Sequence, residues 1–122
     1  MKIVGIDTYP LVLPIKETYG GAAGFLEDCR TLIVCVRLEN RIEGWGEGTQ
    51  GRPGNTYETL ETMEIMTQKY FAPALVGRDL EESGAVVSAL HRVRHGHPIT
   101  KAAIETALFD ALGKIYRIPL CS

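Results

Sequence analysis

A chain of 122 residues with 45 % apolar and 23 % charged content makes one globular domain and excludes disordered and fibrous classes. At this length a chain buries roughly 65 % of its unfolded surface, enough for a core without disulfides or metal. Thirteen Lys+Arg against fifteen Asp+Glu leave a formal charge of −2, which offers no general attraction to nucleic acid or to an anionic membrane.

Strand-forming residues fill the first half. Residues 2–13, KIVGIDTYPLVL, are rich in β-branched and aromatic types and end at Pro14. Residues 31–39, TLIVCVRLE, place Leu32, Val34, Val36 and Leu38 on one face, while the other shades from Ile33 and Cys35 to Arg37 and Glu39. Asn40-Arg41 predicts a short turn, with Asn40 taking the positive φ of a two-residue hairpin. Residues 42–49, IEGWGEGT, then return with Gly44, Gly46 and Gly48 all on one face. A face with no side chains predicts another backbone or a packed element close against it.

From Asn55 the period changes to that of a helix. Asn55 and Glu58 resemble a capping box, and Tyr57, Leu60, Met63, Met66 and Tyr70 mark one helical face that Pro73 is expected to end. Asp79 with Glu82 predicts a second cap, before a helix carrying Gly84, Val86, Val87, Leu90 and Val93. After the break His95-Gly96-His97-Pro98, a third helix over about 100–116 spaces Ala103, Ala107 and Ala111 at i, i+4, i+8. Such a stripe predicts very close packing. The expected fold is α+β: a three-stranded antiparallel β-meander followed by three helices.

Several motifs suggest chemistry that their context does not support. Gly46-Glu47-Gly48-Thr49-Gln50-Gly51 satisfies G-x-G-x-x-G, but no parallel strand follows the next helix, so no dinucleotide-binding unit forms. His91, His95 and His97 cluster beside Arg92 and Arg94, with no carboxylate or cysteine nearby in sequence to complete a metal site. Glu43 and Glu47 lie on one strand face but ~13 Å apart, too far to share a proton. Asp110, inside an apolar helix, requires a partner such as a backbone N–H or an arginine. Cys29, Cys35 and Cys121 fit no C-x-x-C spacing, and an odd count suits a reducing compartment. With no signal peptide and no stretch near the ~20 apolar residues of a membrane span, a cytoplasmic location is expected.

Two glycine-bearing segments stand out. Residues 17–27, ETYGGAAGFLE, join the first two strands and carry Tyr19 and Phe25, and residues 49–55, TQGRPGN, carry Arg52 between glycines. Flexible backbone bearing a few aromatic or cationic side chains suits a cover over a small anionic ligand.

The stretches TLIVCVRLENRIEGWGEGT, FAPALVGRDLEE and KAAIETALFDALGKIYRIPLCS, in that order and spacing, resemble the N-terminal capping domain of the enolase superfamily. The resemblance is to its mandelate racemase and muconate lactonizing branch, with the third stretch most similar to the muconate cycloisomerase subgroup. Phe109 replaces the Trp common in that last helix. The resemblance implies a two-part enzyme, in which this domain covers the mouth of a C-terminal (β/α) barrel of ~250 residues. There Mg²⁺ or Mn²⁺ and lysines would remove a proton α to a carboxylate and stabilise the enediolate. The implied partners are a small-molecule carboxylate, the chain's own barrel and further copies in a homo-oligomer. By position, Tyr19, Phe25, Gln50 and Arg52 become candidate substrate contacts. Residues 1–122 would be the cap, with about 117–122 leading into a barrel that this chain does not include. Metal ligands and catalytic residues would lie in that barrel, leaving the 122 residues inactive alone. The alanine stripe, the glycine face and an exposed apolar surface on the third helix are expected to serve docking. The alternative is a free-standing, non-catalytic α+β binding or interaction module.

Overall fold

Alternating apolar residues in the first fifty positions build an antiparallel sheet, seen in a computed structural model that describes residues 1–14, 28–50 and 57–117. Strand β1 spans Ile3–Pro14, β2 Asp28–Leu38 and β3 Glu43–Thr49, in the order β1-β2-β3. On the central strand, Leu32, Val34, Val36 and Leu38 are at most 2 % exposed and face the helices. The turn between β2 and β3 departs from expectation, because Arg41 and not Asn40 takes the positive φ, 71°. Asn40 Oδ1 instead accepts from the Ile42 amide at 3.2 Å, an Asx-type bond that moves the left-handed residue one position on.

Helix α1 begins at Leu60, later than the Asn55–Glu58 signal suggests. Thr59 is its N-cap and exchanges bonds reciprocally with Thr62. Pro73 does not end the helix either. The chain runs α-helical over Leu60–Met66, widens to a π-turn over Thr67–Phe71 and closes as an α-helix over Ala72–Leu75. Proline lacks the N–H of the ordinary ladder and crowds the carbonyl four residues back, and a wider turn immediately before it relieves both. The buried residues Met63, Thr67, Phe71 and Leu75 therefore recur every four positions, whereas the 3.6 period had pointed to Met66 and Tyr70. Helix α2 covers Ser83–Val93, and α3 covers Pro98–Arg117. Among the described residues, no helix is long and apolar enough to cross a membrane.

The two close approaches read from the sequence turn out to be one contact. Helix α3 lies across the inner face of β3, where a Cβ on Gly44 would stand 2.0 Å from the Ala107 carbonyl oxygen. A Cβ on Gly46 would stand 2.1 Å from that of Ala103. The alanine stripe and the glycine face thus bury each other, and the expectation that they serve docking to something larger is corrected. Part of each outer edge of the sheet is also occupied. Segment 77–80 bonds to the start of β1 through Ile3 N–H on the Arg78 carbonyl (2.9 Å) and Gly77 N–H on the Ile3 carbonyl (2.8 Å). On β3, Asp110 accepts from the Trp45 amide (2.9 Å) and Lys114 donates to the Glu43 carbonyl (2.8 Å).

Candidate functional site

Antiparallel register brings the candidate segments together. Pro14 pairs with Asp28 where β1 ends and β2 begins, and Thr49 at the end of β3 pairs with Thr31 three residues further along β2. The β1–β2 connection and the chain leaving β3 therefore depart from the same end of the sheet. Beside that end, Leu11, Val12 and Leu13 are 42–55 % exposed, an apolar run in a position that a solvated strand would fill with polar residues.

Of the four residues singled out from the sequence, Tyr19, Phe25 and Arg52 lie outside the described residues. Gln50 is described, and it is half-buried. Its amide N–H donates to the Arg30 carbonyl at 2.8 Å, and its side-chain Oε1 accepts from the Leu60 N–H at 2.8 Å. Leu60 opens α1, so its N–H is one of the donors that a helix leaves without an internal partner. Arg30 Nη1 donates to Glu61 Oε1 at 3.2 Å, and the hydroxyls of Thr31 and Thr49 meet at 3.2 Å. No short-range motif links positions 30, 50 and 61. Strand register sets Gln50 beside Arg30, and the packing of α1 on β2 brings Glu61 to them, which is why Arg30 and Glu61 escape a reading of spacing and composition.

Acid–base candidates elsewhere are tied to structural work. Lys101 is 6 % exposed and donates to the Arg94 carbonyl at 2.6 Å. Lys114 pairs with Asp110 at 3.0 Å besides holding Glu43. The Trp45 N–H, with Lys114 behind it, holds the Asp110 carboxyl below the usual carboxylate range. The expected backbone partner for Asp110 is thus present. Burial pushes the Cys35 thiol up to about 11, so it stays protonated and unreactive. His91 pairs with Glu105, while His97 sits edge-on to Tyr57 and Phe71. Among the described residues, no group of three or more His, Cys, Asp or Glu is placed to hold a metal ion. The described residues therefore supply no ligand set for Mg²⁺ or Mn²⁺. What they do is fix the residues that flank the two segments.

Apolar surface remains on two further faces. On α3, Phe109 is 52 % and Tyr116 70 % exposed, on the side away from the alanine stripe. The expected apolar surface of the last helix exists, but these aromatics form it. On the outer sheet face, Tyr9 stacks on Trp45 with ring centroids 5.9 Å apart.

The profile of the mandelate racemase / muconate lactonizing enzyme N-terminal domain matches residues 10–122. Muconate cycloisomerase 1-2 of Acinetobacter lwoffii is 36 % identical over 122 residues, covering 98 % of this chain and 31 % of the relative. The solved muconate lactonizing enzyme of Pseudomonas putida superposes with a TM-score of 0.83 at 28 % identity, over 95 % of this chain and 30 % of that one. The N-succinyl Arg/Lys racemase of Bacillus cereus does so with a TM-score of 0.83 at 29 % identity, over 95 % and 31 %. The chain spans about a third of the length of the relatives it matches.

Proposed function

This chain belongs to the mandelate racemase / muconate lactonizing enzyme family as its N-terminal domain, and from that premise we propose that it is the substrate-capping and specificity domain of a muconate-cycloisomerase-like enzyme. The whole enzyme removes a proton α to a carboxylate and stabilises the resulting enediolate, ending as a cycloisomerase, racemase, epimerase or dehydratase. Residues 1–122 form the cap, about 117–122 lead toward a C-terminal (β/α) barrel, and the assembled enzyme is a homo-oligomer. Any Mg²⁺ or Mn²⁺ has its ligands outside the described residues, and the 122 residues alone do not turn over substrate.

One observation carries this reading. The β1–β2 connection and the chain leaving β3 depart from one end of the sheet, beside the exposed run Leu11–Leu13. Side chains on both could therefore bear on a single small ligand. In this reading Tyr19, Phe25 and Arg52 contact a small carboxylate, with Arg52 supplying the cation and the aromatics selecting the remainder of the molecule.

The test uses the full-length protein. Tyr19→Ala or Phe25→Ala should change the ratio of kcat/KM between two carboxylate substrates by about tenfold, the scale of one apolar pocket contact. Metal affinity should stay at the wild-type value. If both variants keep wild-type specificity, the capping role is refuted.

A further inference from the structure

We infer that Gln50, together with Arg30, is a positioning residue that pins both ends of the 51–59 segment to the strand that receives the 15–27 segment. For its functional consequence this rests on the capping-domain reading. Gln50 precedes the segment and Leu60 follows it. The Gln50 backbone N–H is held by the Arg30 carbonyl at 2.8 Å, and the Gln50 side-chain oxygen holds the Leu60 N–H at 2.8 Å. Arg30 therefore receives the start of the segment on its backbone. Its guanidinium reaches the other end, where Nη1 donates to Oε1 of Glu61, the residue after Leu60, at 3.2 Å.

The amide oxygen of Gln50 is already engaged by a helix-opening N–H, so the same lone-pair direction is not open to a substrate hydroxyl or amine. Tying residue 50 to Leu60 fixes the distance between the two flanking positions before any ligand binds, and fixing chain ends in advance leaves less ordering to oppose binding. Arg30 stands two residues into β2, next to where the preceding connection joins it. A displacement at the start of β2 thus reaches Gln50 and Glu61 through Arg30. The Arg30–Glu61 pair is an exposed ion pair and adds little by itself; the two bonds of Gln50 carry the anchoring.

The test compares Gln50→Met, which keeps length but loses the acceptor, with Gln50→Glu, which restores an acceptor oxygen, both in the full-length protein. Amide hydrogen exchange in Gln50→Met should quicken about tenfold at the Leu60 N–H and also at the position-50 N–H, and Gln50→Glu should return both toward wild type. With a carboxylate substrate, Gln50→Met should raise KM several-fold while kcat stays near wild type, because the loss is of pre-ordering rather than of a transition-state contact. Glu61→Gln should act in the same direction more weakly. Unchanged exchange at Leu60 would overturn the anchor. Faster exchange with wild-type KM would overturn the positioning role. A fall in kcat that Gln50→Glu does not restore would make Gln50 a participant in the chemical step and overturn the proposal too. A wild-type protein with no turnover on any carboxylate would refute the capping reading, and exchange at positions 50 and 60 would still decide the anchor.

Discussion

At Glu58 a carboxylate is 1 % exposed, and its place becomes intelligible only from the other end of the domain. Its two oxygens accept from the Ile99 N–H (2.7 Å), the Thr100 N–H (2.9 Å) and the Thr100 hydroxyl (2.7 Å), so it caps α3 from forty residues away. The sequence suggests instead that Glu58 caps its own helix, because Asn55-x-x-Glu58 has the local spacing of a capping box. That role falls to Thr59 and Thr62, whose pairing is less conspicuous in sequence. Asp110 shows the opposite case, since an acidic residue on an apolar helix announces its need for a partner. Its carboxyl titrates below the unfolded value of 3.8, so its contribution to stability is complete above that value and is lost as pH falls through the lower folded one. Asp110→Asn should therefore destabilise the fold in urea titrations at about pH 7, and the difference from wild type should begin to shrink as pH falls below 3.8. A difference independent of pH would remove the charge from the explanation.

At the scale of elements, the glycines of β3 and the alanines of α3 were each legible as a demand for closeness, while the identity of the partner was not. Periodicity reports which face of an element is small; only three-dimensional placement reveals that two small faces meet. Gly46→Ala would drive a methyl carbon against the Ala103 carbonyl, where backbone and not a pliable side chain must yield. It should lower unfolding free energy by about 1–3 kcal/mol. Gly113→Ala, in the interior of α3 with nothing beyond its own helical backbone within 4 Å of the added carbon, should instead raise it by roughly 0.5–1 kcal/mol. Equal effects of the two substitutions in denaturant titrations would contradict the close strand–helix contact. The π-turn before Pro73 was not legible at all, because proline in a helical pattern reads as an ending and the sequence carries no sign of the widened turn that accommodates it.

For the molecule as a whole, the class α+β, the strand order and the number of helices follow from the change in hydrophobic period near residue 55, and all are present. The site is less legible, since the partners of Gln50, the Arg30 carbonyl and the Leu60 N–H, are set by tertiary placement and not by any local spacing. Exposed aromatics suggest where a larger partner rests. Phe109→Ser should lower the Tm of the full-length protein by about 2–4 °C, as loss of roughly 1 kcal/mol does in a protein of larger size, and leave the melting of the 122-residue chain unchanged. Equal shifts in both would mean that no barrel covers Phe109. The glycine face of β3 has a further consequence, in the order of synthesis. About half the chain separates Gly44 from the alanine that covers it, so β3 can be made and paired with β2 while one of its faces is still bare backbone. A nascent sheet on the ribosome must wait for Ala107 and Ala111 to emerge before that strand is sealed, so the sheet's inner face is completed only when the last helix has been made.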